Sequence, residues 1–452
     1  MQTKRKVIWL LLSIFCLSVS LPVFAADRTA RLYDSLQPCI DDQTFAVVHV
    51  DLAGLDLDVL TVYAVNLVKK HAGADVAKRI EADLSEIRAA AGPRLEGLKK
   101  AGARDIFLVF SMYDFPYFFA AVPIPPSADP TGLHEYVEKL VEDFSPRHGE
   151  THVSGRLIMA GLKPTITRLK TISPAQSPTL KTALGVCADK TVKVVLFPGS
   201  DQCRILNEMI PTLVRQTPAA QPITIGRDLQ WAALGINGPP SISLSLTIKS
   251  PSTESASRML AVIKGLYAEV KQEPKARRLI PDLDRSLERL TPRQQSESLI
   301  LQVDSAAADS LTEDAIAPAL LRLDALATRM ACATNMSGLG KALLIHCNDY
   351  NDELPPDLET LTRTAEVTTK SLICPATGLR ESYIYRGADL TTSAIPMMIT
   401  VYETAGNHGE DGRNVLFLDS HVEWVTEERF QELIRKDNEY RRKKGLRVLP
   451  AK

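Results

Sequence analysis

The chain has 452 residues, more than one ordinary hydrophobic core accommodates, so we expect two or three domains. Hydrophobic residues make up 45% of the chain and charged residues 24%, which is typical of folded proteins. The 53 Lys and Arg residues balance the 54 Asp and Glu residues, so the composition excludes the basic field of a nucleic-acid-binding protein.

Residues 1–25 have the pattern of a secretory signal peptide. A basic start, residues 4–6, precedes an apolar run over residues 7–24, and Val23 and Ala25 occupy the −3 and −1 positions of a cut after Ala25. An uncleaved anchor is the alternative, because the run is close to the length that crosses a bilayer. We therefore predict a secreted or periplasmic protein of the cell envelope, exported by the Sec route. Membrane contact is expected only through this segment, if it is uncleaved.

The residues that follow the signal alternate between strand and helix patterns and form a first predicted domain, 26–175. The β-branched run "TFAVVHVDL" (44–52) predicts a buried strand. Helical patterns follow at 59–70 and 75–100, then paired strands at 105–112 and 117–124, a helix at 129–144 and a strand at 155–161.

A similar order recurs in a second predicted domain, 176–310. Strand patterns lie at 192–199, 229–236, 241–248 and 296–304, and helical patterns lie at 203–215 and 250–266. We interpret 45–165 and 192–304 as a degenerate duplication, with two unrelated domains as the alternative. Hairpins combined with helices predict an α+β fold rather than a doubly wound sheet. Neither part contains a phosphate loop, a G-x-S-x-G elbow or an H-E-x-x-H helix.

The third predicted domain, 311–452, begins with a long helix and ends in a basic tail. Apolar residues in the helix recur at steps of three and four: Leu323, Leu326, Met330, Ala333, Met336, Leu339 and Leu343. A polar loop with a Pro-Pro stop comes next, followed by short strand patterns.

This third domain resembles the head of type II secretion pseudopilins and, more closely, the prepilin-associated family named for its His-x9-Asp-Gly motif. The likeness spans about 320–434 and is carried by "CATNMSGLGKALLIHCNDYNDELPPDL", "LICP", "SYIYRG" and "H…NVLFLDSHVEWV". It implies one long helix with a small antiparallel sheet. His408 and Asp419 are the motif residues, with ten intervening residues instead of nine, and Ser420 replaces the motif glycine. The earlier domains resemble uncharacterised bacterial secreted proteins with a "DTxAVVxVDL"-like strand.

The segment "AAADSLTEDAIAPALL" before the long helix is too short and too acidic to act as a prepilin anchor. The resemblance therefore implies a head reused in a multidomain protein rather than a polymerising subunit.

Six cysteines follow the signal, and an even number in an oxidising compartment predicts disulfide bonds. Because Cys332 and Cys374 match the cysteines of the family, the resemblance implies that they are bridged to each other. Cys187 with Cys203 is the second pair that we predict.

A polar turn joins the last two strand patterns. His408, Asp419 and His421 are candidate ligands of a divalent metal ion, with Glu403 or Asp411 as a further ligand. Alternatively, Asp419 caps its own turn and His408 bonds to a loop carbonyl. Ser420 in a left-handed conformation would cost about 1 kcal/mol, or would require a turn type different from that of Asp-Gly.

These features favour a non-enzymatic structural or interaction protein without catalytic residues or a cofactor. Its expected partners are envelope or secretion-system proteins, and nucleic acid is not expected. The alternative is a metal-dependent hydrolase or metal-binding protein that uses His408, Asp419 and His421.

Overall fold

The computed structural model describes residues 25–145, 147–205, 208, 225–365, 367–379, 382–408 and 412–449. The predicted signal peptide lies outside these residues apart from Ala25, and so does most of the predicted helix 203–215. Within the described ranges, no helix combines the length and the apolarity needed to cross a membrane. The chain divides into two compact units, Met1–Ala319 and Leu320–Lys452.

The first unit contains a ten-stranded antiparallel sheet. Its strands are β1 Thr44–Asp51, β2 Asp105–Ser111, β3 Phe119–Pro123, β4 Gly149–Ser154, β5 Leu157–Leu162, β6 Val192–Leu196, β7 Trp231–Asn237, β8 Ser243–Lys249, β9 Arg293–Gln295 and β10 Ser298–Val303. Its helices include Ala25–Leu36, Leu57–Lys100, Pro130–Phe144, Lys163–Leu169, Pro178–Val186, Ile225–Asp228, Thr253–Gln272, Pro274–Leu279, Leu283–Arg289 and Ser305–Leu311. Antiparallel sheets together with helices confirm the α+β prediction.

The strand order is β4-β5-β3-β2-β1-β6-β7-β8-β10-β9, which is symmetric about the pair β1 and β6. These two central strands pair antiparallel, with Val48 opposite Val194. Strands from the two predicted domains, 26–175 and 176–310, therefore share one sheet, and the expected boundary at 175/176 falls inside one compact unit.

The long helix Leu57–Lys100 shows how local sequence sets these elements. The Asp56 carboxylate caps its start by accepting from the Asp58 and Val59 N–H groups. Gly73 interrupts the helical geometry with φ +84°, a conformation that glycine adopts without a Cβ penalty. The two helices predicted at 59–70 and 75–100 therefore join at a kink.

The second unit contains a four-stranded antiparallel sheet, ordered β11-β12-β13-β14. Its strands are β11 Tyr383–Tyr385, β12 Ile399–Glu403, β13 Arg413–Phe417 and β14 Val422–Val425. Its helices include Thr360–Thr364 and Glu427–Lys443, together with nearly all of Ala317–Asp349. Every residue of β12 and β13 is buried, as expected for strands covered on both faces.

The helices Ala317–Asp349 and Glu427–Lys443 pack on opposite faces of this sheet. The apolar core around Met336 and Leu339 of the first helix includes Val401 and Leu416. The alternate residues of the same strands belong to a second core with the other helix, formed by Ile399, Tyr402, Val415, Phe417, Val425, Phe430, Leu433 and Ile434. The unit is thus a three-layer arrangement of helix, sheet and helix.

A buried charge network fixes the end of the chain to this unit. Asp437 Oδ2 accepts from Arg386 Nη2 at 2.6 Å and from Arg441 Nε at 2.9 Å, and all three side chains are at most 1% exposed. Arg386 Nη1 also donates to the Leu449 carbonyl, 2.9 Å away. Charged groups are buried in this way only when they are paired and hydrogen-bonded.

Candidate metal centre

Four potential metal ligands meet inside the second unit: Cys332, Cys374, Glu403 and His408. One donor atom from each lies within 4.8 Å of the donors of the other three. The Cys332 and Cys374 sulfurs are 3.0 Å apart, and His408 Nε2 is 3.0 Å from Glu403 Oε1. The side chains of Glu403 and His408 are 0% and 3% exposed, so the cluster is closed to bulk solvent.

Each ligand comes from a different part of the fold. Cys332 lies on the inner face of the helix Ala317–Asp349, Glu403 ends β12, and His408 lies in the loop that follows. Cys374 is held by a tight turn in which the Gly378 N–H donates to the Cys374 carbonyl at 2.8 Å. Gly378 has φ +70°, so a glycine is suited to close this turn.

Glu403 is a buried carboxylate with several partners. Its Oε2 accepts from the Asn414 backbone N–H at 2.8 Å, and its Oε1 contacts His408. Burial lowers the pKa of His408, but its interactions with Cys374 and Glu403 raise it more strongly, to about 9. The two nearby negative groups thus favour a proton or another cation at this position.

The two cysteines differ in their protonation. The hydrogen bond from Cys332 lowers the pKa of Cys374 to about 4, against the effect of burial. His408 and the backbone N–H groups of Ala376 and Thr377 act in the same direction. The Cys332 pKa is raised, first by its bond to Cys374 and then by burial. The surroundings of Cys374 thus favour its charged form, and thiolates bind metals and act as nucleophiles.

Tyr383 completes the surroundings of the cluster. It lies directly opposite Glu403 in the pairing of β11 with β12, so both side chains are on the same face of the sheet. The residue is 6% exposed, and its hydroxyl interacts with Cys332 of the cluster. Burial, followed by the charge on Cys332, raises the Tyr383 pKa, so the hydroxyl stays protonated and can donate.

The structure holds the cysteines of both predicted disulfides as free cysteines, and the pairing stays a prediction. The structure brings Cys332 and Cys374 together, but 3.0 Å exceeds the bond length of about 2.05 Å, and both are free cysteines. Cys187 and Cys203 are also free. The Cys187 sulfur is 3.9 Å from the Ser245 hydroxyl, and Cys203 donates to the Pro198 carbonyl.

The predicted ligands His408, Asp419 and His421 do not form a group close enough to share one ion. Asp419 Oδ1 contacts His421 Nδ1 and accepts from the His421 backbone N–H at 3.2 Å, on an exposed turn. His408 bonds to Glu403 instead of to a loop carbonyl. Asp411, the other suggested ligand, lies outside the described residues. The close spacing of Asp419 and His421 in the sequence thus identified a turn. The four clustered ligands, in contrast, come from positions far apart in the sequence.

Ser420 closes this turn in the left-handed region, with φ +68°. The Ser420 N–H donates to the Phe417 carbonyl, and the Phe417 N–H donates to the His421 carbonyl, both at 3.0 Å. This pattern is a three-residue hairpin loop, whose last position usually holds glycine. Ser420 therefore adopts the strained left-handed conformation, and the turn does not change to a type that would avoid it.

A second buried polar group lies in the first unit. His49 Nε2 contacts Asp105 Oδ1 at 2.7 Å, and Lys193 Nζ contacts His49 Nδ1 at 3.2 Å. Burial lowers the His49 pKa, and the Lys193 charge adds to this effect, against Asp105 and Asp51. A neutral imidazole that donates to Asp105 and accepts from Lys193 satisfies both contacts. His49 is thus a hydrogen-bonded core histidine.

Sequence reasoning selected three of the four clustered residues but assigned them to different roles. It placed the two cysteines in a disulfide and His408 beside Asp419. Glu403 was only an optional ligand, and Tyr383 was not considered. The segment from Cys374 to Gly378, Cys-Pro-Ala-Thr-Gly, was the available signal, because a tight turn can direct backbone N–H groups toward a thiolate.

Comparisons with known proteins assign no family. The chain matches no protein-family model, and no curated protein or solved structure is significantly similar to it. The resemblance to pseudopilin heads stays a prediction.

Proposed function

We propose that this chain is an extracytoplasmic structural or interaction protein of the bacterial cell envelope, without chemistry of its own. A secretory signal exports it, and its C-terminal unit acts as a pseudopilin-like head that contacts envelope or secretion-system proteins. The first unit is a duplicated α+β scaffold.

The architecture supports both parts of this proposal. A long helix packed on a four-stranded antiparallel sheet is the arrangement that the pseudopilin resemblance implies. The symmetric strand order about β1 and β6 is what a duplication of five strands would produce.

The observation that carries the interaction role is an exposed apolar stripe on the long helix. Leu323, Leu326 and Met330 are 46%, 37% and 61% exposed. They lie at positions i, i+3 and i+7, which is the spacing of helix anchors that dock onto a partner. Further along the same helix Met336 and Leu339 are fully buried, so the apolar pattern continues beyond what the core of the unit covers.

The position of the polar groups favours binding over catalysis. The reactive side chains of the cysteine cluster are buried, whereas Asp419 and His421 are exposed and contact each other within a turn. A substrate would have to displace core side chains to reach the cysteine cluster.

Site-specific photo-crosslinking tests this function. The full chain is exported in a bacterial host with a photoreactive residue at Met330, or at Lys341 as an exposed control about three turns along the same helix. We expect crosslinks to defined envelope proteins from position 330 and not from 341. The double variant Leu323→Gln/Leu326→Gln should abolish them.

A cytoplasmic chain, or equal crosslinking from both positions, would contradict the proposal. Crosslinks that persist in the double variant would show that the stripe is not the contact surface.

A further inference from the structure

We propose that Cys332, Cys374, Glu403 and His408 bind a Zn²⁺ ion in a closed structural site. The ion would join the long helix, the Cys374 turn and the end of β12 through their side chains. This inference does not depend on the proposed interaction role, because the four residues lie inside the second unit and not on the exposed stripe of the long helix.

The donor set determines the class of metal. Two sulfurs and one imidazole suit a borderline-soft ion such as Zn²⁺, whereas Ca²⁺ and Mg²⁺ prefer sites built from oxygen. Four protein donors without an opening to solvent match a structural zinc site, because a catalytic site keeps one position for water. Cys332, Cys374 and Glu403 are buried and the His408 side chain is 3% exposed, which is consistent with the closed type.

The distances require only a small adjustment. Tetrahedral zinc with bonds of about 2.3 Å to sulfur and about 2.1 Å to nitrogen or oxygen separates its ligands by about 3.4–3.8 Å. The sulfurs and the His408–Glu403 atoms, each 3.0 Å apart, would open by less than about 1 Å. Separations in the cluster reach up to 4.8 Å, so the largest would close by about 1.0–1.4 Å.

The Cys374 turn favours a thiolate rather than a disulfide. Backbone N–H groups of Ala376 and Thr377 point at the Cys374 sulfur. Such donors stabilise a negatively charged sulfur and gain little from a neutral disulfide sulfur. Orienting hydrogen bonds of this kind are what metal-ligating side chains require.

Tyr383 provides a supporting observation. Its buried hydroxyl interacts with Cys332, which places a hydrogen-bond donor directly beside the cluster. It faces the same side of the sheet as Glu403. Two zinc-bound thiolates and a carboxylate would offer it a strong acceptor.

Cobalt substitution tests the site on the full chain. After reduction of all thiols, the chain is titrated with Co²⁺, and the thiolate-to-cobalt charge-transfer absorption is measured. We expect one Co²⁺ per chain, a spectrum typical of tetrahedral coordination with sulfur ligands, and displacement by Zn²⁺. Cysteine and histidine bind a metal only in their deprotonated forms, so binding releases protons from Cys332 and His408 and uptake should weaken as the pH falls.

Variants then identify the ligands. Cys332→Ser and Cys374→Ser should lose the charge-transfer absorption, and His408→Gln and Glu403→Gln should weaken Co²⁺ binding at least tenfold. The matched control is Cys187→Ser/Cys203→Ser, which removes two cysteines outside the cluster and should leave the titration unchanged. Circular dichroism confirms that each variant is folded.

Alkylation of the unmodified chain provides a test that needs no variant. Because Cys332 and Cys374 are buried, they react with an alkylating reagent only when the unit opens, and their rate is followed by mass spectrometry over a long incubation of the reduced chain. Zn²⁺ should slow the alkylation of these two cysteines but not that of Cys203. The proposal is overturned if the reduced, folded chain takes up no Co²⁺, or if Zn²⁺ leaves the alkylation of Cys332 and Cys374 unchanged. A disulfide between these cysteines that prevents uptake under all reducing conditions compatible with folding would also overturn it.

Discussion

The substitution Asp437→Asn tests how the final helix is attached to the second unit. Asp437 is the carboxylate shared by Arg386 and Arg441, at 2.6 and 2.9 Å. Asparagine has nearly the same shape and can retain the bond that Oδ1 accepts from the Ile399 N–H. The substitution therefore removes the charge and leaves two buried guanidinium groups without their counter-ion.

The expected loss of stability is large because all three side chains are at most 1% exposed. Removing one partner of a buried ion pair typically costs about 3–5 kcal/mol, and here two cations lose the same partner. Glu432→Gln on the same helix is the matched control. Glu432 bonds to Arg429 and Lys436, but these are exposed pairs, so no measurable change is expected.

The assay is urea unfolding monitored by tryptophan fluorescence. With Trp9 and Trp231 both replaced by Phe, Trp424 is the one tryptophan left in the chain, so the signal follows the second unit. The midpoint should fall markedly for Asp437→Asn and stay constant for Glu432→Gln. Equal small shifts for both variants would refute the view that the buried network anchors the helix.

Three further predictions concern His49, the hairpin turn and the long helix of the second unit. Because His49 has a pKa below its ordinary value of 6.5 in the folded state, the folded chain binds fewer protons than the unfolded chain. The free energy of unfolding should therefore decrease as the pH falls below 6.5, and His49→Gln should reduce this slope in urea titrations between pH 8 and 5. Ser420→Gly should raise the stability of the second unit by about 1 kcal/mol, since it relieves φ +68°; an unchanged urea midpoint would contradict this reasoning. Gly340→Ala should destabilise the unit by about 1–3 kcal/mol, because the added Cβ would lie 2.8 Å from Leu416 Cδ1. Gly338→Ala, with no atom within 4 Å of the added Cβ, should stabilise the helix by up to about 1 kcal/mol; equal effects of the two alanines would contradict the close packing.

Periodicity predicted the faces of elements better than it predicted their partners. Met336, Leu339 and Leu343 are buried against the sheet, as the three- and four-residue steps indicate. Leu326 and Met330 continue the same pattern but are exposed. A repeat of apolar residues identifies a face, but it does not state what covers that face.

The polar cluster lay beyond local sequence reasoning for a different reason. Cys332, Cys374 and His408 are separated by tens of residues and meet only through the packing of a helix on a sheet. Asp419 and His421 are two positions apart, and this spacing favoured them as metal ligands. In the structure they belong to a turn. Short spacing identifies local contacts, whereas tertiary sites depend on topology.

The central claim is that the reactive groups of the second unit are enclosed in a structural core. X-ray absorption at the zinc edge of the full chain loaded with one Zn²⁺ tests this claim most directly. We expect four-coordinate zinc with two sulfur ligands, two nitrogen or oxygen ligands and no exchangeable water. A coordination shell with fewer than two sulfurs, or with a bound water that exchanges with solvent, would contradict it and would favour a metal-dependent hydrolase.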